Sequence, residues 1–411
     1  MRIKSIYYLI IFLIIGIMGC GKKEKELINK KEISFWHFWS EPNQKQALSE
    51  LVNEFEKLNN CKVNMSELSW NDGKTKLFAA FNSNTGPDVL ELGSDWVAQF
   101  SSSGVLAEID NKDININKFI DFSAEPSFWA GKIYAIPWVV DTRVIFYNRT
   151  LLEMVGVNNL PTSFEEMLEH SKKVNDMEGY YGFGTNGADK NRLYKKVVTF
   201  IWSSGGEVMD ENSSLLNSEE NERAFSMIRE LSKYSIIENQ RNLDELFAKG
   251  KIGFTISGSW LIRKIDEYRS KANNFEFGVM EVPKFDGKEG KSFAGGEYLS
   301  INKKTRNREL SEKLIKYLTD GKTSIKFCKK INEAGFPADN EFNEDEYFTK
   351  QKYKSVFSEQ LKNAKMTPVH PRWLDIQDII ESLAENIIYK KVDISEELRS
   401  SSEKIDEILK K

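Results

Sequence analysis

Asp141 and Arg143 are opposite charges set inside Ile133–Tyr147, a run that is otherwise mostly apolar, β-branched and aromatic. A lone buried charge is expensive, so these two must meet each other, a solute or a gap between domains. Six tryptophans, Trp39, Trp96, Trp138, Trp202, Trp260 and Trp373, read as lying at strand ends, helix starts or loops near Gly, Asp, Glu or Arg. An aromatic plane covers the flat C–H face of a sugar, and Asp, Glu and Arg hydrogen-bond a rim of hydroxyls in fixed geometry. Capture of a hydroxyl-rich solute is the chemistry this set suits.

Other chemistries are poorly served. His37, His170 and His370 form no ligand-like pair, and no Cys after Cys20 neighbours a His, so no metal site is expected. Gly182–Gly187 matches G-x-G-x-x-G literally, but a polar stretch precedes it where a dinucleotide fold needs a buried strand. Ser257 and Ser259 miss the G-x-S-x-G elbow, since Ile256 and Gly258 precede them. Glycoside hydrolysis needs only two suitably spaced carboxylates and stays open as the alternative, with Asp141 and Glu297 as the pair. The net charge of −4 gives no basic excess for nucleic acid. No cofactor is expected.

The elements that would position these residues alternate between two periods. Ile33–Phe38 is an apolar strand. Ser40-Glu41-Pro42 looks like a helix start, followed by the stripe Ala47, Leu48, Leu51, Val52 and Phe55. Val63 and Met65 alternate, Asp88–Leu92 is another strand, and Asp95-Trp96 opens a helix that Gly104 closes. Strand–helix–strand–helix is the pattern of an α/β lobe with a mainly parallel sheet. Ile133–Tyr147 is two to three times an ordinary strand, which suggests one segment serving two sheets. The pattern then repeats, with Ser163 and Glu166 as a capping box, a strand at Tyr180–Thr185, and another at Ile252–Ile256 before Trp260. At 411 residues the chain is long enough for two such lobes.

The N-terminus reads as an export signal. Arg2 and Lys4 precede the apolar run Ile6–Gly19, too short to span a bilayer comfortably, and Cys20 follows directly. This resembles a bacterial lipobox, with residues 1–19 removed, Cys20 lipidated and residues 20–32 a solvated tether.

The ordered series of landmarks resembles the carbohydrate-binding group of extracellular solute-binding proteins of bacterial ABC importers. Gly86-Pro87-Asp88-Val89 with Gly104-Val105-Leu106, Gly131–Pro137 with Asp141-Thr142-Arg143 and Tyr147-Asn148, Phe254–Trp260, Gly295-Gly296 and Trp373 carry the likeness. The resemblance implies an α/β fold of two lobes, the periplasmic-binding-protein type II arrangement, with about three hinge crossings and solute held between the lobes. The crossings fall near Val139–Arg143, Val279–Val282 and Asp320–Gly321. Lobe 1 would hold residues 33–140 and 282–320, and lobe 2 residues 141–281 and 321–411. Cys61 and Cys328 would then lie in different lobes as separate thiols.

By position, the resemblance implies sugar contacts from Trp39, Glu41, Asp95, Trp96, Trp138, Asp141, Arg143, Trp202, Trp260, Gly296, Glu297, Tyr298, Arg372 and Trp373. It also implies a carbohydrate ligand, no catalysis, a membrane permease as partner, and a monomer. The lipid on Cys20 would hold the protein on the extracytoplasmic face of the cell membrane.

Overall fold

The computed structural model describes residues 31–110, 114–189, 192–269, 275–390 and 392–410. The expected signal, the lipidated Cys20 and the tether as far as residue 30 lie outside the described residues. Lys31 and Glu32, assigned to the tether from sequence, instead open the first strand, where Lys31 pairs with Cys61.

In chain order the strands are β1 (Lys31–His37), β2 (Cys61–Glu67), β3 (Val89–Gly93), the short hairpin β4 (Phe128–Trp129) and β5 (Lys132–Ile133), β6 (Ala135–Thr142), β7 (Val144–Asn148), β8 (Tyr181–Thr185), β9 (Ser235–Ile237), β10 (Ile252–Ser257), β11 (Phe277–Met280), β12 (Ser292–Ile301), β13 (Phe336–Pro337) and β14 (Ala364–Lys365). One sheet runs β13-β6-β12-β3-β1-β2, with β14 beside β12; the other runs β11-β7-β10-β8-β9. β1 is parallel to both neighbours, as the strand–helix alternation requires, whereas β12 is antiparallel to β3 and β6.

The long central run divides as its length suggests. β6 belongs to the first sheet and β7 to the second, and Arg143 alone stands between them. The register of β6 against β12 slips where Glu297 faces Val139 and Tyr298 faces Pro137, so Trp138 is the extra residue of a bulge. A bulge bends its strand and re-aims the side chains beyond it. Pro137 has no N–H to give the ladder, which suits it to that irregularity.

Local signals explain several boundaries. Ser163 accepts from the Glu166 N–H at 3.2 Å, while the Glu166 carboxylate reaches one residue further back, to the Thr162 N–H at 2.7 Å. Gly205, at φ +87°, closes the helix Tyr194–Ser204 in the left-handed conformation. The first helix, Pro42–Asn59, starts from Glu41 rather than Ser40, and the Glu41 N–H donates to the Gln44 side chain at 3.1 Å. A Cβ at Gly182 would stand 2.0 Å from the Ser171 carbonyl oxygen. That glycine therefore lets helix Phe164–Asn175 cross β8, which accounts for it without any phosphate.

The third crossing lies later than Asp320–Gly321. Asp320 caps the helix Gly321–Lys330, its carboxylate accepting from the Lys322 N–H at 3.1 Å. That helix packs on β6, β13 and helix Pro42–Asn59, all part of the first sheet's unit. Phe327 stacks on Trp138 with ring centroids 4.8 Å apart, and the Ser324 hydroxyl donates to the Trp138 carbonyl at 3.0 Å. The chain leaves the first sheet only after β14, and helix Trp373–Tyr389 packs on helices Tyr194–Ser204 and Glu219–Ser232 beside the second. An Asp-Gly pair that reads as a break between helices is here a cap. Cys328 consequently sits on the same side as Cys61; both are buried, and burial pushes the Cys328 thiol up to about 12.

Candidate functional site

The site is built where the sheets part. The Ser292 hydroxyl donates to the Arg143 carbonyl at 2.7 Å, and the Thr142 hydroxyl to the Phe293 carbonyl at 3.0 Å, so the β6–β7 crossing and the start of β12 are bonded side by side. Asp141 and Arg143 are ion-paired and largely enclosed. The Arg143 guanidinium lies 4.6 Å over the Trp260 ring and 5.4 Å from the Phe293 ring. Lys195, in the first turn of helix Tyr194–Ser204, places its Nζ 5.1 Å from the same Phe293 ring. Gly295 faces Asp141 across the ladder, and a Cβ there would stand 2.8 Å from the carboxylate. The glycine makes room for the charge.

Glu297 is enclosed beside this pair. Burial raises its pKa well above the carboxylate range, repulsion from Asp141 and Glu91 adds to that, and Arg143 and Lys195 offset only part. A neutral Glu297 is a hydrogen-bond donor as well as an acceptor. Lys195 is lowered, first by burial.

Trp260 is held from behind. Its indole N–H donates to Asp244 at 3.2 Å, and Asp244 also accepts from the Gln240 side chain at 2.7 Å. A Cβ on Gly258 would lie 1.9 Å from one ring carbon and 2.4 and 2.5 Å from that carbon's two ring neighbours, hence above the ring rather than at its edge. Gly258 therefore lets the indole lie flat on the main chain. Buried Lys196 neighbours Asp244; burial raises the acid and lowers the amine.

Several contacts close the gap between the units. The buried Tyr194 hydroxyl donates to Asp95 at 2.7 Å, and Arg192 donates to the Asn71 side chain at 2.8 Å. Arg263 lies 3.1 Å from Glu333 and 4.0 Å from Glu41.

The structure thus gathers Asp141, Arg143, Trp260 and Glu297 at the junction and brings Asp95 and Glu41 into contacts across it. The other aromatic candidates are packed instead of displayed. Trp39, Trp96, Trp138, Trp202, Trp373 and Tyr298 are all buried, and Tyr298 spends its hydroxyl on the Ser123 carbonyl at 2.7 Å. The indole N–H groups of Trp39, Trp138 and Trp373 nevertheless have no acceptor among the described residues. Trp202 lies near the end of helix Tyr194–Ser204, with Lys365 Nζ 5.5 Å from its ring. Gly296 lies within β12, where a Cβ would press on the Val139 carbonyl at 2.9 Å. Arg372 is exposed and paired with Asp375 at the start of helix Trp373–Tyr389.

Sequence reasoning missed Tyr194, Lys195 and Asp244. Nothing local marks them, because each matters only through a partner on another element, 16 residues away for Asp244 and 99 for Tyr194. It also passed over Trp70, the most exposed of the nine tryptophans at 39 %. Its position after a strand and before Asn71-Asp72-Gly73 was the available signal. Among the described residues, no group of His, Cys, Asp and Glu is arranged to hold a metal ion, and no helix is long and apolar enough to cross a membrane.

Two α/β units joined by adjacent crossings, with an aromatic and charge-paired gap between them, define a two-lobed binding protein. Residues 39–322 match the family model described as bacterial extracellular solute-binding protein, and the chain belongs to that family. It is 27% identical to a putative binding protein of Brucella abortus, over 85% of this chain and 86% of that protein. It is 24% identical to the galactooligosaccharide-binding protein of Bacillus subtilis, over 97% and 95% of the two chains. The GacH receptor of Streptomyces glaucescens, solved unliganded and with acarbose, superposes with a TM-score of 0.82 at 23% identity, covering 93% of this chain and 99% of that one. The fold is the two-lobed α/β arrangement expected from sequence, and the family places the protein outside the cytoplasm.

Proposed function

We propose that this protein captures a neutral sugar or oligosaccharide between its lobes and delivers it to the membrane permease of an ABC importer, held at the cell membrane by a lipid on Cys20. One observation carries the reading: the junction pairs its own charges, Asp141 with Arg143, burial favours the uncharged form of Glu297, and the Trp260 and Phe293 rings lie against the Arg143 guanidinium. Such a lining satisfies its ion pair internally. It suits a ligand with apolar ring faces and many hydroxyls. The names of the oligosaccharide-binding relatives point the same way. Binding to one lobe, with contacts to the other stabilising closure, accounts for capture without chemistry.

A thermal-shift screen against mono- and oligosaccharides tests this. A cleft ligand at a hundred times its Kd should add about 2.7 kcal/mol of stability by mass action. No shift with any neutral sugar would overturn the reading. Recovering the ligand intact after incubation, by chromatography, separates capture from glycoside turnover.

Asp244→Ala should free the Trp260 indole and weaken sugar binding about tenfold while the fold persists. Titration calorimetry reads the affinity, and the 15N–1H resonance lost in a Trp260→Phe control identifies the indole to follow. An unmoved resonance in Asp244→Ala would show that the carboxylate does not hold the ring.

A further inference from the structure

Arg263 is placed to tie the lobes together. It lies one turn after Trp260 in helix Trp260–Arg269, which packs on helix Gln240–Ala248 in the second unit. Its Nε stands 3.1 Å from Oε1 of Glu333, close enough for an ion pair though not aligned as a hydrogen bond. Glu333 belongs to the first unit, in the short 3-10 turn Asn332–Ala334 between helix Gly321–Lys330 and β13. Lys365 and Glu207 also pair between the units, but on β14 at the third crossing, where opening moves the partners least.

The acceptor is built before the donor arrives. Glu333 Oε1 accepts from the Gln44 side chain at 3.0 Å and from the Asn43 side chain at 3.4 Å, both in the first turn of helix Pro42–Asn59. Buried Lys354 donates to the carbonyl of the preceding Asn332 at 3.1 Å, which fixes the turn. The Glu333 side chain is 5 % exposed, whereas that of Arg263 keeps 31 %. Because the arginine stays partly in water, the pair carries little of the desolvation cost that cancels fully buried ones. Arg263 also has a partner on its own helix, Glu267, which accepts from Nη1 at 2.5 Å. Opening the lobes therefore breaks the cross-lobe attraction without stranding either charge. Glu41, 4.0 Å from Arg263 and half-exposed, adds little.

We propose that Arg263 and Glu333 form an electrostatic latch on the closed lobes, so that affinity for an uncharged solute falls as salt concentration rises. This rests on the capture reading above, and concerns closure rather than contact with the solute. Dissolved ions stabilise the separated charges of the open form more than the enclosed pair of the closed form. An uncharged solute brings no ionic-strength dependence of its own, so the effect reports the lobes. Solute enters the open form and leaves only after reopening, so the latch acts on dissociation.

The test measures binding of maltotriose and galactotriose, both uncharged, to wild type, Glu333→Gln, Arg263→Gln and the double variant. Titration calorimetry and stopped-flow tryptophan fluorescence are run at about 20 mM and about 500 mM NaCl. Circular dichroism and the ligand-free Tm confirm folding. Wild-type affinity should fall about fivefold between the two salt concentrations, through faster dissociation. Each single variant should bind about tenfold more weakly at low salt and lose the salt dependence, and the double variant should bind no more weakly than either. Salt-independent binding in wild type, or losses that add in the double variant, would overturn the latch.

If neither sugar binds, the carbohydrate reading fails and the latch is still read without solute. Gln46 is exposed one turn into helix Pro42–Asn59, and Cys61 and Cys328 are buried, so a nitroxide can be placed on Gln46→Cys in a Cys20→Ser background. It should broaden amide signals of helix Trp260–Arg269 more at low salt than at high salt, and less in Glu333→Gln than in wild type. Equal broadening throughout would overturn the latch.

Discussion

Glu91→Gln should make the protein more stable, by a margin that widens from pH 5 to pH 9. Glu91 lies on β3 with no exposed surface; one oxygen accepts from the Phe38 N–H at 3.0 Å and the other has no partner among the described residues. Burial raises its pKa to about 8, and that one hydrogen bond lowers it only partly. The folded form therefore holds a proton that the unfolded chain gives up near its ordinary value, between about pH 4.5 and 8. Wherever the folded state binds more protons, stability falls as pH rises. The contribution is fully present below about pH 4.5 and lost through pH 8, and amounts to about 5 kcal/mol as an upper bound.

A glutamine is neutral throughout and keeps the acceptor for Phe38. Urea midpoints at pH 5, 7 and 9 should coincide with wild type at the acid end and exceed it increasingly at the alkaline end. Parallel curves would mean Glu91 titrates normally. His37 works with the opposite sign. Burial lowers it to about 4, so the stability it carries is lost as pH falls from about 6.5 to 4, in variant and wild type alike.

Much of the fold was legible because it rests on period and punctuation. Two charges and unusual length in Ile133–Tyr147 identified a segment shared by two sheets, and the structure divides it at Arg143. The site was legible where a charge in an apolar run called for an explanation, as at Asp141 and Arg143. It was less so for tryptophans, because a ring beside Gly or Asp reads alike whether it faces a ligand or packs on Phe327, as Trp138 does. Asp244 was invisible in principle. Its meaning lies in a bond to Trp260, made only when helices Gln240–Ala248 and Trp260–Arg269 fold together.

Arg143→Ala should have the second large effect, on binding and stability together. The side chain pairs with Asp141 and lies over Trp260 and Phe293, so its loss strands an acid beside Glu297 and opens the wall the aromatics form. Breaking a fully buried pair costs about 3–5 kcal/mol, and the residual exposure of Asp141 brings the expectation to about 2–3 kcal/mol. Sugar affinity should fall roughly a hundredfold, in line with losing a charged, desolvated contact. Arg143→Lys keeps the charge but not the flat guanidinium, and should retain part of the affinity.

Combining Arg143→Ala with Asp141→Asn should recover most of the stability but none of the binding. That result would separate the stranded charge from the lost contact. Calorimetry and melting curves on the three variants suffice. Wild-type affinity in Arg143→Ala would remove the residue from the ligand site.

The hydroxyls of Thr142 and Ser292 tie one crossing to the next, each donating to a carbonyl on the other strand. Two struts cross-linked at the pivot behave as a flexure: they bend as one and resist shear. Opening then has a single angular coordinate, and every point on one lobe travels an arc set by its distance from that line. Spin labels placed across the cleft should report two discrete separations, with and without sugar, while label pairs within either lobe stay fixed. Removing both hydroxyls would loosen the tie beyond the last ladder pair, Thr142 with Ala294, and the cross-cleft separations should broaden.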